Sequence, residues 1–135
     1  MRIVLDTNVI LRAISTKSAI KNIIDSLYEG VYELCFSTEI LLEYHEKISI
    51  FYGEKIAESF ISFLLVLPNT QKIEPYFHLE LIKSDYDDNK FVDCAFASNA
   101  HYIVTNDRHF RILSKIDFPK ISVITAEDFH ELLKE

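Results

Sequence analysis

Two short apolar runs, each ending in a cluster of Asp, Asn and Thr, constrain the fold more than any other feature of this chain. Residues 2–11 read RIVLDTNVIL and residues 101–110 read HYIVTNDRHF. An unbroken apolar run suits a strand buried on both faces, as in a parallel sheet, better than the alternation of a half-exposed strand. Asp6 and Asp107 then stand just past the carboxyl ends of two strands far apart in the chain. Sites in open α/β sheets form outside those ends. One sheet would therefore bring both acids to one edge. Either aspartate alone reads equally well as a turn or cap residue.

The rest of the chain supplies the elements such a sheet needs. Ile20, Ile23, Ile24 and Leu27 have helical spacing over 19–28, and Gly30 is placed to end that helix. A strand follows at 32–36. Ser37 or Thr38 can cap a helix over 39–49. Gly53 opens another helical pattern, with Ile56, Phe60, Phe63, Leu64 and Leu67 in phase, and Pro68 stops it. Residues 72–74 suit a short edge segment, and 79–87 a mixture of helix and loop. A helix over 88–100, strands at 102–104 and 122–124 and a helix over 126–133 complete the order. The alternation predicts one domain over 1–135, an α/β sandwich with a mostly parallel central sheet.

Composition narrows the class. Hydrophobic residues make up 49% of the 135 and charged residues 26%, enough for a good core and too apolar for disorder. The net charge of -7 counts against a simple DNA-binding module. Cys35 and Cys94 lie in apolar runs without zinc-ligand spacing and read as buried free thiols of a reducing compartment. Asp6 interrupts the first apolar run too early for a signal peptide, and FLLVL at 63–67 is too short to span a bilayer. A cytoplasmic protein is expected.

Among 21 Asp and Glu, helical phase separates candidates from surface charge. Over 88–100 the apolar stripe is Phe91, Val92, Ala95 and Phe96. Asp88 points with that stripe, whereas Asp93 points away, toward solvent or a charge partner. A core-facing acid is costly unless paired or bound to metal; the alternative is that Asp88 only favours the helix amino terminus. Glu43 lies closest of three glutamates to the stripe of Ile40, Leu41, Tyr44 and Ile48, but from this helix alone a solvated i,i+4 pair with Lys47 explains it better.

If such carboxylates converge within about 5 Å, each like-charge pair costs roughly 3 kcal/mol at an effective dielectric near 20. A divalent cation relieves this, and all-oxygen ligands suit Mg²⁺ or Mn²⁺. The chemistry such a centre supports is two-metal phosphodiester hydrolysis. Thr7, Asn8, Thr105 and Asn106 would orient the carboxylates. Arg12, Lys17, Arg108 and Arg111, each ordinarily a solvated surface charge, are candidates for a basic rim that lets an acidic protein hold an acidic polymer.

The blocks LDTNVIL, STEILLEYHEKI and DDNKFVDCAFASNAHYIVTND, followed by a strand and a helix, resemble the PIN domain, in particular the ribonuclease-toxin subgroup of prokaryotic toxin–antitoxin systems. The resemblance implies a small α/β/α domain with a parallel sheet and a Mg²⁺- or Mn²⁺-dependent endoribonuclease, with Asp6, Glu43, Asp88 and Asp107 as metal-binding catalytic acids. The assignment of Glu43 rests mainly on it. Asp85, Asp87 and Asp93 are alternatives for the third acid. The resemblance also implies an antitoxin partner and homodimers, and residues 56–67 are apolar nearly all round, as a buried or partner-covered helix would be. Two other readings compete. One is a catalytically silent PIN-like protein- or RNA-binding module, disfavoured because all four acids are present. The other is a haloacid-dehalogenase-type phosphatase, which would need an acid where Asn8 stands.

Overall fold

A computed structural model describes residues 1–135. Five parallel strands form one sheet: β1 (Arg2–Leu5), β2 (Glu33–Phe36), β3 (Thr70–Lys72), β4 (Tyr102–Val104) and β5 (Val123–Ile124), in the order β3-β2-β1-β4-β5. The central strand β1 pairs with β2 on one side and β4 on the other, Ile3 facing Leu34 and Tyr102. Ile3, Val4, Leu5, Leu34, Cys35, Ile103 and Val104 have no exposed surface. The sheet is covered on both faces, which is why its inner strands are continuous apolar runs. Chain order reverses about β1, so the carboxyl ends of β1 and β4 flank a topological switch point.

Helices α1 (Thr7–Ala13), α2 (Asn22–Tyr28), α3 (Thr38–Tyr52), α4 (Glu54–Val66), α5 (Asn89–Ser98) and α6 (Ala126–Leu132) complete a three-layer α/β/α arrangement. Ser37 caps α3 by accepting from Ile40 N. Gly53, at φ 97°, makes the corner between α3 and α4 that a residue with a Cβ rarely adopts. Two buried or half-buried phenols fix α3 against the amino-terminal unit. Tyr44 Oη donates to Leu5 O at 2.6 Å and Tyr52 Oη to Leu11 O at 2.6 Å. The first of these bonds ends on the residue before Asp6 and so docks the middle of α3, with Glu43, against the sheet's carboxyl edge.

The structure departs from the sequence reading at several boundaries. The helix expected over 19–28 begins only at Asn22, because Ser18 Oγ accepts from Ile20 N and holds the preceding residues in a turn. The helix from Ser37 runs on to Tyr52, and the edge strand lies at Thr70–Lys72 rather than 72–74. Residues before α5 are loop except for a 3-10 turn at Tyr86–Asp88, and a second 3-10 segment, Arg108–Lys115, was not expected. Helix α4 is not buried all round. Ala57, Phe60 and Leu64 face the core, while Ile56, Phe63, Leu65 and Val66 are exposed. No helix is long and apolar enough to cross a membrane. Cys35 and Cys94 are free and buried.

Candidate metal centre

The two strand-end acids are joined by one hydroxyl. Thr105 Oγ1 donates to Asp6 Oδ2 at 2.6 Å and accepts from Asp107 N at 3.0 Å. Asp6 also caps α1, its Oδ1 lying 3.4 Å from Asn8 N. Its side chain is buried, and burial pushes its pKa up; the Thr105 and Asn8 bonds pull the other way, and the charges of Asp107 and Glu43 raise it further. Asp6 thus caps α1 and at the same time stands near the charges of Asp107 and Glu43. Asp107 repeats the pattern, with Oδ1 accepting from His109 N at 2.9 Å where the 3-10 segment begins.

Asp88 closes the 3-10 turn before α5, and its mostly buried side chain is pushed up to about pKa 6. Desolvation is the largest cause; Asp85, Asp107 and Asp6 add to it, and His109 partly offsets it. Asp88 Oδ2 and His109 Nδ1 are both buried without a hydrogen-bond partner. They lie 3.4 Å apart, with Asp107 Oδ1 at 3.3 Å and Asp85 Oδ2 at 3.9 Å from the same nitrogen. Unpartnered buried polar atoms are costly. Here they face one another. Asp85, Asp88 and His109 each offer a ligand atom, all within 4.8 Å of one another. Oxygen ligands with one imidazole fit a hard to borderline divalent cation of the Mg²⁺ or Mn²⁺ type.

Glu43 differs from the other three acids. Its Oε1 pairs with Lys90 Nζ at 2.8 Å and its Oε2 accepts from Thr7 Oγ1. Lys90 is itself buried and also pairs with Asp87 Oδ2 at 2.8 Å. Burial lowers the Lys90 pKa, but Asp87 and Glu43 outweigh it, so the net shift is upward and the ammonium is retained. Glu43 lies near enough for its charge to act on Asp6, yet it is already neutralised.

Of the two outcomes expected for Asp93, solvent or a charge partner, the structure shows the second. It does not face solvent: it is 3% exposed, with Oδ1 accepting from Leu79 N at 3.0 Å and Oδ2 3.1 Å from His78 Nδ1. The phase argument assumed one covered face. Helix α5 is instead enclosed on almost every side, with Asn89 to Ala95 all buried, because residues 78–82 fold over the face away from the sheet. Asn106 is also reassigned. It donates to Glu127 Oε1 and accepts from Ala126 N, so it orients Glu127 rather than any of the four acids. Arg12 pairs with Glu127 at 2.6 Å and, as the largest cause, draws that carboxyl down to about pKa 2. Lys17, Arg108 and Arg111 are exposed. Sequence reasoning missed His109 and Lys90. A histidine two residues past a strand-end aspartate was the available sign of the first. For the second there was little, since a lysine beside an apolar stripe is ordinarily solvated.

A parallel sheet carrying acids at its switch point defines a class of α/β/α domain with an acidic edge. A family model described as PIN domain matches residues 2–109, and the chain belongs to that family. No match was found among curated proteins. Two solved structures share the fold. VapBC2 from Rickettsia felis, bound to a DNA fragment from its promoter, is 18% identical with a TM-score of 0.60, over 93% of this chain and 98% of that one. The PIN domain endonuclease Utp24 is 19% identical with a TM-score of 0.53, over 92% of this chain and 84% of that one.

Proposed function

We propose that this protein is a divalent-metal-dependent endoribonuclease and the toxin of a toxin–antitoxin pair, with Asp6, Asp88, Asp107 and Glu43 as its acidic centre. The observation that carries the reading is the pair of unpartnered buried atoms, Asp88 Oδ2 and His109 Nδ1, facing each other beside Asp107 at the sheet's switch point. Family membership and the endonuclease fold of Utp24 support the reaction class; the VapBC2 neighbour supports a toxin role and an antitoxin partner.

Asp6, Asp88 and Asp107 would hold the cation, with Asp85 and His109 within reach of the same space. When bound, the cation supplies positive charge against the phosphate oxygens and makes water a better nucleophile. The protein's own groups fix the geometry. Thr105 holds Asp6 Oδ2 and the start of the Asp107 turn together. Thr7 and Lys90 clamp both oxygens of Glu43, so Glu43 contributes orientation and local field more than free charge. His109 Nδ1 lies between Asp88 and Asp107, 3.4 and 3.3 Å from their carboxylate oxygens.

The test is cleavage of single-stranded RNA with Mn²⁺ or Mg²⁺, by wild type and by Asp6→Asn. Cleavage should vanish with EDTA and drop at least about tenfold in the variant, as loss of a metal ligand demands. Full activity of a cleanly purified Asp6→Asn protein would refute the assignment. We also infer a homodimer. Ile56, Phe63, Leu65 and Val66 on α4, with Ile50 and Phe51 at the end of α3, leave an apolar band that a second copy would cover. Light scattering should show a dimer that Phe63→Glu dissociates; a wild-type monomer at high micromolar concentration would refute it.

A further inference from the structure

A cavity of about 690 Å³ opens beside the acidic centre, between the 3-10 segment Arg108–Lys115 and the stretch leading into β5. Asn106 and Asp107 form a wall that it shares with the smaller hollow over Asp6. Buried Phe110, Leu113 and Ile121 make its floor. Arg111, Lys115 and Lys120 stand exposed around it. The ion pairs of this protein engage Arg12, Lys21, Lys47, Lys90 and Lys134 instead, leaving these three cations free. Asp107 is the sole acid in the lining. On a chain of net charge -7 this is a local reversal of sign, placed against the catalytic edge.

We infer that this cavity is the subsite for the nucleotide of the RNA strand next to the scissile phosphate, with neighbouring phosphates held by Arg111, Lys115 and Lys120. The inference rests on the nuclease reading above. The volume falls in the range of small-molecule sites, about 300–1,000 Å³. An apolar floor receives a base face without sequence selection, and the hydroxyl of Ser122, with no partner inside the protein, can reach a base edge. An acidic peptide would match the cations but leave that floor unfilled.

The experiment measures binding of a fluorescent single-stranded RNA 12-mer by anisotropy in EDTA, where cleavage cannot interfere, across a salt series. The triple variant Arg111→Ala/Lys115→Ala/Lys120→Ala should bind at least about tenfold more weakly. The slope of log K against log salt should fall by about 2, since each single-strand phosphate contact contributes about 0.7. Ser122→Tyr, which fills the cavity without changing charge, should weaken binding and leave the slope alone. Lys72→Ala, on β3 at the opposite edge of the sheet, should change neither. Thermal melts confirm that each variant is folded. A folded triple variant with wild-type affinity and slope would overturn the subsite, as would equal competition by a polyglutamate of the same length. The two readings fail separately: wild-type protein that does not cleave with Mn²⁺ removes the nuclease and leaves a polynucleotide site if the slope still falls. Cleavage with an unchanged slope removes the subsite alone.

Discussion

Acids on the two sides of the first turn of α5 have opposite fates. On the β2 side, Glu43 and Asp93 are buried or half-buried with their oxygens engaged, by Lys90 and Thr7 in one case and by Leu79 N and His78 in the other. On the β4 side, Asp88 ends with one oxygen buried and unpartnered, its pKa raised to about 6. Burial alone does not mark a functional acid; the least exposed of these, Asp93, is a loop anchor. What separates them is satisfaction. A carboxylate whose bonds are complete belongs to the fold, and one left incomplete among like charges is a candidate for binding something from outside.

The contrast can be broken most forcefully at Lys90. Lys90→Met leaves Glu43 half-buried without its cation and should cost about 3 kcal/mol, the lower end of the cost of breaking a buried pair. Chemical denaturation measures it, and a loss below about 1 kcal/mol would mean that Glu43 relaxes to water. Asp93→Ala comes next. It leaves Leu79 N without its acceptor and should cost about 2 kcal/mol, with faster hydrogen exchange in residues 78–82. RNA cleavage by the folded fraction should stay within a small factor of wild type; a tenfold loss would place Asp93 in the site.

Asp88→Asn should act in the reverse direction. A raised folded pKa means that Asp88 favours folding in full below its unfolded value near 4, and that this contribution is lost as pH rises through about 6. The variant should therefore melt with wild type at pH 4 and be the more stable above pH 6, by about 1 kcal/mol after allowance for solvent screening. Mn²⁺ should invert the order by stabilising wild type only. A pH-independent difference between the two proteins would remove the electrostatic account. The smallest effect is at Glu127→Gln, an exposed partner of Arg12, which should shift stability by less than about 0.5 kcal/mol.

The sheet and its acid-bearing edge were legible because continuous apolar runs and strand-end aspartates are local patterns. The position of α3 and the burial of Asp88 followed from helical phase. The face taken by Asp93 followed from phase but its burial did not: phase reports how many faces are apolar, not how many are covered, and the loop at residues 78–82, with Leu79, Leu81 and Ile82 packed inward, covers the second. Lys90 and His109 escaped for a related reason. Their meaning lies in partners that only the folded chain supplies: Glu43, far away in sequence, for one, and Asp85 and Asp88 as well as neighbouring Asp107 for the other.

The strand order carries a consequence for how the molecule comes into being. β1 is central but made first, and its second neighbour, β4, is made only after β2, β3 and five helices. Until residues 102–107 emerge from the ribosome, Asp6 has no Thr105 to hold it and no Asp107 beside it, and one edge of β1 lies bare. Pairings across such a span make folding slow, and an unpaired apolar edge invites association during synthesis. A nascent chain of this protein is thus aggregation-prone before its acidic edge is assembled, and the same late event, docking of β4, ends both conditions at once.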